Sequence, residues 1–202
     1  MILYGASGHG KVIIEILELL GDQNIIIWDD ALKSDVWHYP VSKPDLQFAG
    51  LEKLIISIGY NNIRKAIAER LIGKFLFGNA IHPQTNISKR VKLGAGTVVM
   101  AGVSINADVV IGKHCIINTN ASIDHDCLIA NYCHVSPNVT LCGNVTVDVG
   151  THIGAGATVI PGISIGKWCT IGAGTTVIKD VPDFATVVGV AGRIIKMKKS
   201  ND

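Results

Sequence analysis

Aromatic side chains are scarce in this chain at 5% of residues, and between Asn79 and Asp183 the only two are Tyr132 and Trp168. A region that long without rings has a core too thin to hold them. Long hydrophobic runs are missing as well: Glu15 and Glu18 interrupt the first apolar segment, so no stretch approaches the roughly 20 residues of a membrane helix. Charge of one sign is not in excess, with 18 Lys and Arg against 16 Asp and Glu and a net charge of +2. That balance gives no basic surface for nucleic acid, and the end from Lys196 to Lys199 reads as a solvated tail. The five cysteines include no Cys-x-x-Cys pair. Their odd number, in a chain whose first residues do not read as a secretion signal, predicts a reducing, cytoplasmic setting.

What is present is a six-residue repeat. Ile87, Leu93, Val99, Ile105, Ile111, Ile117, Ile123, Ile129, Val135, Leu141, Val147, Ile153, Val159, Ile165, Ile171 and Val177 stand six apart without interruption. This period matches neither an α-helix nor an isolated strand, so it predicts a coil of short straight segments, a parallel β-helix. A second lattice four residues later, from Val91 to Val181, holds only small or β-branched residues, among them Cys115, Cys127, Cys133 and Cys169. There a thiol serves as a compact hydrophobe. Only Cys142 lies off it. Gly94-Ala-Gly96, Gly154-Ala-Gly156 and Gly172-Ala-Gly174 are read as corners where the chain bends without a Cβ clash.

The first part of the chain has another pattern. Met1–Tyr4 leads into the glycine loop Gly5–Lys11, then Val12, Ile13, Ile16, Leu17 and Leu20 at helical spacing. Two further apolar runs, Ile25–Trp28 and Leu54–Ile58, end in Asp29-Asp30 and in Gly59-Tyr-Asn-Asn62, before an amphipathic stretch from Ile63 to Ile72. The expected fold is an α/β Rossmann-like βαβαβ unit over 1–82, followed by a parallel β-helix over 83–202, with the junction at Ile81-His82-Pro83. The glycine loop fills the first seven positions of a Walker A motif, yet Val12 replaces its Ser or Thr. Gly5, Gly8 and Gly10 also miss the dinucleotide spacing. Ser7, His9, Asp29, Asp30 and Asn61 nevertheless place polar groups at strand ends, where phosphate, ribose and sugar hydroxyls are recognised.

Outward positions of a β-helix have no core to fill, so chemistry is sought there. His125 stands out as Asp124-His125-Asp126, an imidazole with two carboxylates able to fix its tautomer and raise its basicity. Gly143 follows His125 by eighteen residues and Ala173 follows Ala155 by eighteen. Three hexads per coil would put each pair on one line, a rung of roughly 4.8 Å apart.

The string from Asn118 to Cys127, with His134-Val-Ser136 and Gly143-Asn144, after Gly-Ala-Ser-Gly-His-Gly near the start, resembles the sugar acetyltransferases of the PglD and NeuD type. These are hexapeptide-repeat proteins whose left-handed helices have three hexads per coil. The resemblance implies His125 as general base, Asp126 as its orienting acid, and the Gly143 backbone as donor to the thioester carbonyl of acetyl-CoA. It places His134, Gly143, Ala155 and Ala173 on the acetyl-CoA path. Ser7, Gly8, His9, Asp29, Asp30, Gly59 and Asn118 are then the residues for the nucleotide sugar. It also implies a homotrimer with acetyl-CoA between neighbouring solenoids, and no metal. One departure is the tail, where Val188-Gly-Val190 continues to Ala191-Gly192-Arg193 in place of the family's Val-Gly-Val-Pro-Ala.

The function expected is N-acetylation of a nucleotide-linked 4-amino-4-deoxy sugar, a UDP-sugar first, for bacterial glycan or polysaccharide synthesis. O-acetylation of a sialic acid uses the same base and cofactor. A zinc-dependent hydratase built on His125, His134 and His152 fits less well, since His125 stands at another position of its hexad than the other two. A non-catalytic nucleotide-sugar binder would not need the His125 and Gly143 pair.

Overall fold

A computed structural model describes residues 1–31, 34–48 and 50–197, so Lys198 and Lys199 of the basic end lie outside the described residues. The chain opens with β1 (Ile2–Tyr4), α1 (Gly8–Leu19), β2 (Ile26–Trp28), β3 (Val41–Ser42), β4 (Leu54–Ile56) and α2 (Asn61–Leu71). The four strands form a parallel sheet of order β3-β2-β1-β4. Side chains alternate across it: Leu3, Ile27 and Ile55 pack under α1, while Ile2, Tyr4, Trp28, Leu54 and Ile56 pack under α2.

Two details differ from the pattern. The crossover between β2 and β4 carries the short edge strand β3 in place of a helix among the described residues, and Pro40 and Pro44 explain why no helix runs there. On α1 the inner residues are Ile13, Ile14, Ile16 and Leu17; Val12 is 40% exposed and Leu20, past the helix end, 54%.

The next strand, β5 (Ala80–Ile81), leaves this sheet and pairs with Val98–Val99 as the first rung of a parallel solenoid. Two-residue strands then recur every six residues and stack in three sheets of six, six and five, the first extended to eight strands by Ala185–Val188 and Arg193–Met197. Register advances by eighteen, as in Ile117↔Val135 and Val135↔Ile153. Both lattices point inward and make one buried aliphatic core from Val99 to Val187.

The corners have a stricter rule than the glycines suggested. From Leu93 to Ile171 the residue three after each aliphatic is left-handed: glycine at some corners, and Asp108, His114, Asn120, Asp126, Tyr132, Asn138, Asn144 and Trp168, with φ between 54° and 62°, at the others. In Gly154-Ala-Gly156 only Gly156, at φ 68°, supplies that conformation. Gly154 meets a different need, because a Cβ there would lie 2.6 Å from the Ala173 nitrogen on the next coil.

The inward thiols are also more than fillers. Cys115, Cys127, Cys133 and Cys169 reach the carbonyls of Ala130, Cys142, Asp148 and Pro182 at 3.1–3.2 Å. Thr97 and Thr151 make the same bond to Gly112 and Gly166. At these six positions of the second lattice a small side chain donates to a corner carbonyl.

A candidate base and a ligand cleft on opposite sides of the solenoid

His125, Asp126 and Gly143 come together on one edge, where the six-stranded and five-stranded sheets meet. Asp126, in its left-handed corner conformation, brings Oδ2 to 2.7 Å from His125 Nδ1. That bond leaves Nε2 facing outward on a side chain 59% exposed. Asp124 accepts from the His125 backbone N–H at 2.8 Å and from Asn106 Nδ2 at 2.7 Å, so it steadies the corner and not the ring. The hydrogen bond to Asp126 comes first, and the Asp124 charge second, in raising the His125 pKa above its ordinary value. Gly143 lies beneath the ring: a Cβ there would be 2.7 Å from Cε1 and 2.8 Å from Nε2.

The eight-stranded face lies across the solenoid from that edge. Its outward ladder begins with Ala80, Val98 and Ile116, buried with Met100 under α1. One rung further it becomes His134, then His152 and Thr170. Beyond the apolar cover of α1 a cleft of about 990 Å³ opens between the two units, lined by Ser7, His9, Gly59, Asn61, His134, His152, Trp168 and Phe184 among others. A cleft of this size between two folding units is where small ligands bind.

Two of the cleft's imidazoles, His9 and His134, are held neutral. His134 and His152 stack with centroids 4.8 Å apart. Asn118 Nδ2 donates to His134 Nε2 at 3.2 Å, and Ser136 Oγ meets His152 Nε2 at 2.9 Å. Burial, then the neighbouring His152 and Arg64, drive His134 down to about 3. Burial and Arg64 likewise take His9 to about 4. These rings are hydrogen-bonding surfaces, whereas His125 is the one suited to take a proton.

The remaining sequence candidates divide. Ser7 caps α1 with extended backbone and no side-chain cap bond, next to the open positions of Gly8 and, on the neighbouring loop, Gly59. Asp29 sits at the end of β2 but uses its carboxylate internally, accepting from Ala6 N at 2.8 Å and Ala31 N at 2.9 Å. Asp30 accepts from the Tyr4 hydroxyl at 2.7 Å and pairs with Arg70 at 3.2 Å. Ala155 and Ala173 run along the edge between the eight-stranded and six-stranded sheets, distinct from the His125 edge. The tail returns as an antiparallel hairpin, Ala185–Val188 with Arg193–Met197, which puts Lys196 at the cleft. Among the described residues no three His, Cys, Asp or Glu side chains are placed to hold a metal, and no helix is long and apolar enough to cross a membrane.

Sequence reasoning passed over Arg64 and Trp168. Arg64 was detectable: Asn61, Arg64, Ile67, Ala68 and Leu71 form the buried stripe of α2, a helical face that starts with two polar residues.

Comparison with known proteins gives one picture. Residues 1–71 match the PglD N-terminal domain, and residues 108–143 match the bacterial transferase hexapeptide (six repeats). The UDP-N-acetylbacillosamine N-acetyltransferase of Bacillus subtilis is 43% identical over 111 residues, a match covering 49% of this chain and only 50% of that protein's length. Perosamine N-acetyltransferase from Caulobacter crescentus, solved with CoA and GDP-perosamine, superposes with TM-score 0.92 at 39% identity, covering 96% of each chain. The acetyltransferase domain of PglB from Neisseria gonorrhoeae, solved with acetyl coenzyme A, gives 0.91 at 34% identity over 96% of this chain and 98% of that one. Both units of the chain are matched in this way, the likeness extends over 96% of its length, and the chain belongs to the PglD-type sugar acetyltransferases of the hexapeptide-repeat class.

Proposed function

We propose that this protein moves the acetyl group of acetyl-CoA onto the amino group of a nucleotide-linked 4-amino-4-deoxy sugar. The observation that carries this reading is the His125–Asp126 pair lying over Gly143 on an exposed edge. With Nδ1–H held by Asp126, the His125 Nε2 lone pair accepts the proton lost as the amine attacks the thioester carbon. The new C–N bond forms, and the Gly143 N–H, which has no acceptor among the described residues, donates to the developing oxyanion. One such donor is worth about 3 kcal/mol in the transition state. Collapse breaks the C–S bond, and the His125 proton goes to the departing thiolate of CoA.

Ala155 and Ala173 are proposed contacts for acetyl-CoA along its length and His134 for its acetyl end, where the cofactor meets the acceptor; Ser7, Gly8, His9, Asp29, Asp30, Gly59 and Asn118 are proposed for the acceptor. Asp29 acts by shaping the glycine loop. A free helix start at Ser7 and Gly8 suits a diphosphate, and the relatives' UDP- and GDP-linked acceptors have that group in common. One chain keeps its base and its cleft on opposite sides of the solenoid, so a working site needs the His125 edge of one copy beside the cleft of another. This supports a homotrimer, in a cytoplasmic setting where acetyl-CoA is available.

The test measures release of the CoA thiol with UDP-, GDP- and dTDP-linked 4-amino sugars and with a sialic acid. Turnover on a nucleotide-linked amino sugar and none on sialic acid is expected. The reverse preference would reassign the protein to O-acetylation.

A further inference from the structure

Arg64 is 1% exposed, and its hydrogen-bond partners among the described residues include no carboxylate. A buried cation is tolerated only when its donors are satisfied. All five of its N–H groups are. Nε donates to the His114 carbonyl at 2.7 Å. Nη1 donates to Ile58 O at 2.9 Å and Gly59 O at 3.2 Å, and Nη2 to Asn61 Oδ1 at 2.7 Å and Tyr132 O at 2.9 Å. These acceptors belong to three separate pieces of chain: the loop after β4, and two successive corners of the solenoid. Asn61 adds a second tie, its Nδ2 donating to Gly150 O at 3.0 Å.

We propose that Arg64 is a positioning residue for acceptor binding, fastening the Ile58–Asn61 loop to the solenoid corners beside His134 and so setting the width of the cleft. The claim rests on the reading that this cleft receives the nucleotide-linked amino sugar. The loop and His134 both line the cleft, with His134 in hydrogen-bond contact with the Gly59 backbone, and the arginine bonds to the backbone of the loop and of the corner at Tyr132, two residues before His134. Only a planar fork does this, because a lysine is a point charge whose three donors leave from one atom. The guanidinium remains charged, since burial draws it down only to about 10. From there it also helps keep His9 and His134 unprotonated.

The experiment compares wild type with Arg64→Lys, which keeps the charge and loses the fork. Expected are a KM for the nucleotide sugar raised about tenfold or more, the equivalent of about 1.4 kcal/mol, kcat within roughly threefold, and an unchanged Kd for acetyl-CoA. Hydrogen exchange is followed in parallel without any sugar, with faster exchange expected for the Ile58–Asn61 amides alone. A wild-type KM, or a loss of acetyl-CoA affinity matching the rise in KM, overturns the proposal. So does unchanged exchange in the loop. A wild type inactive on every nucleotide amino sugar defeats the functional reading instead, and the exchange arm then decides the fastening by itself. If Arg64→Lys does not fold, Asn61→Ala removes one acceptor and the tie to Gly150, and unaltered exchange in that variant's loop overturns the proposal equally.

Discussion

The His125 imidazole lies so closely over Gly143 that a Cβ on Gly143 would fall 2.8 Å from Nε2. The base and the oxyanion donor therefore share one constraint. Gly143→Ala keeps the N–H but pushes the ring away, and a displacement near 1 Å is enough to cost roughly 10²-fold in kcat. In a His125→Ala background the same change should cost little more. Additive losses in that double-mutant cycle would show that the two residues do not act as a unit.

His125→Ala alone should lower kcat by about 10² to 10⁴, the range for removing a general base, while calorimetric titration gives an unchanged Kd for acetyl-CoA. Retention of a tenth or more of wild-type kcat where chemistry limits the rate would defeat the assignment.

The pH profile separates the base from its partner. Neutral imidazole is the active form, so kcat/KM should fall on the acid side of a His125 pKa that Asp126 and then Asp124 raise. Asp126→Asn removes the larger of these causes, so the acid limb should move to lower pH while the plateau rate drops. An unmoved limb would place the titrating group elsewhere.

Asp29→Ala and Asp30→Ala should both weaken nucleotide-sugar binding and leave acetyl-CoA binding intact. Only Asp29→Ala should also lower Tm, because it strands the N–H groups of Ala6 and Ala31. Ala6 is only half-buried and Ala31 exposed, so the loss should stay at or below about 1 kcal/mol, the low end for an unpaired donor. Loss of acetyl-CoA affinity with sugar affinity preserved would reverse the roles of the two units.

Acid should destabilise the fold through its buried imidazoles. Burial first, then Arg64, puts His9 and His114 at about 4, below the ordinary histidine value. These groups stay neutral in the folded protein while the unfolded chain takes up protons, so their stability is complete above the ordinary value and is lost as pH falls through it toward 4. Tm should decline from about pH 7.5 to about pH 5, and His114→Gln should flatten the decline. An identical slope in that variant would dismiss this source.

Much of this molecule was legible along the chain. An unbroken six-residue lattice from Ile87 to Val177 leaves one inward side chain per segment, and no other fold buries such a row. Because register then advances by eighteen, the pairing of His125 with Gly143 follows from position alone. Asp126 beside His125 is likewise a local fact, fixed by the left-handed corner.

The cleft was not legible, and neither was Arg64. Its hydrogen bonds reach residues 50 and 68 positions away, and no local pattern encodes where one folding unit docks on another. Asp29 shows the same limit: a carboxylate at a strand end reads as a ligand for sugar hydroxyls until its oxygens are seen to hold the neighbouring loop. Periodicity determines which face of a segment points inward, because that depends on the chain's own geometry. Which outward groups meet depends on packing between units distant in sequence, and only the tertiary structure decided that His134 would meet Gly59 at the cleft while His125 stands on the far edge.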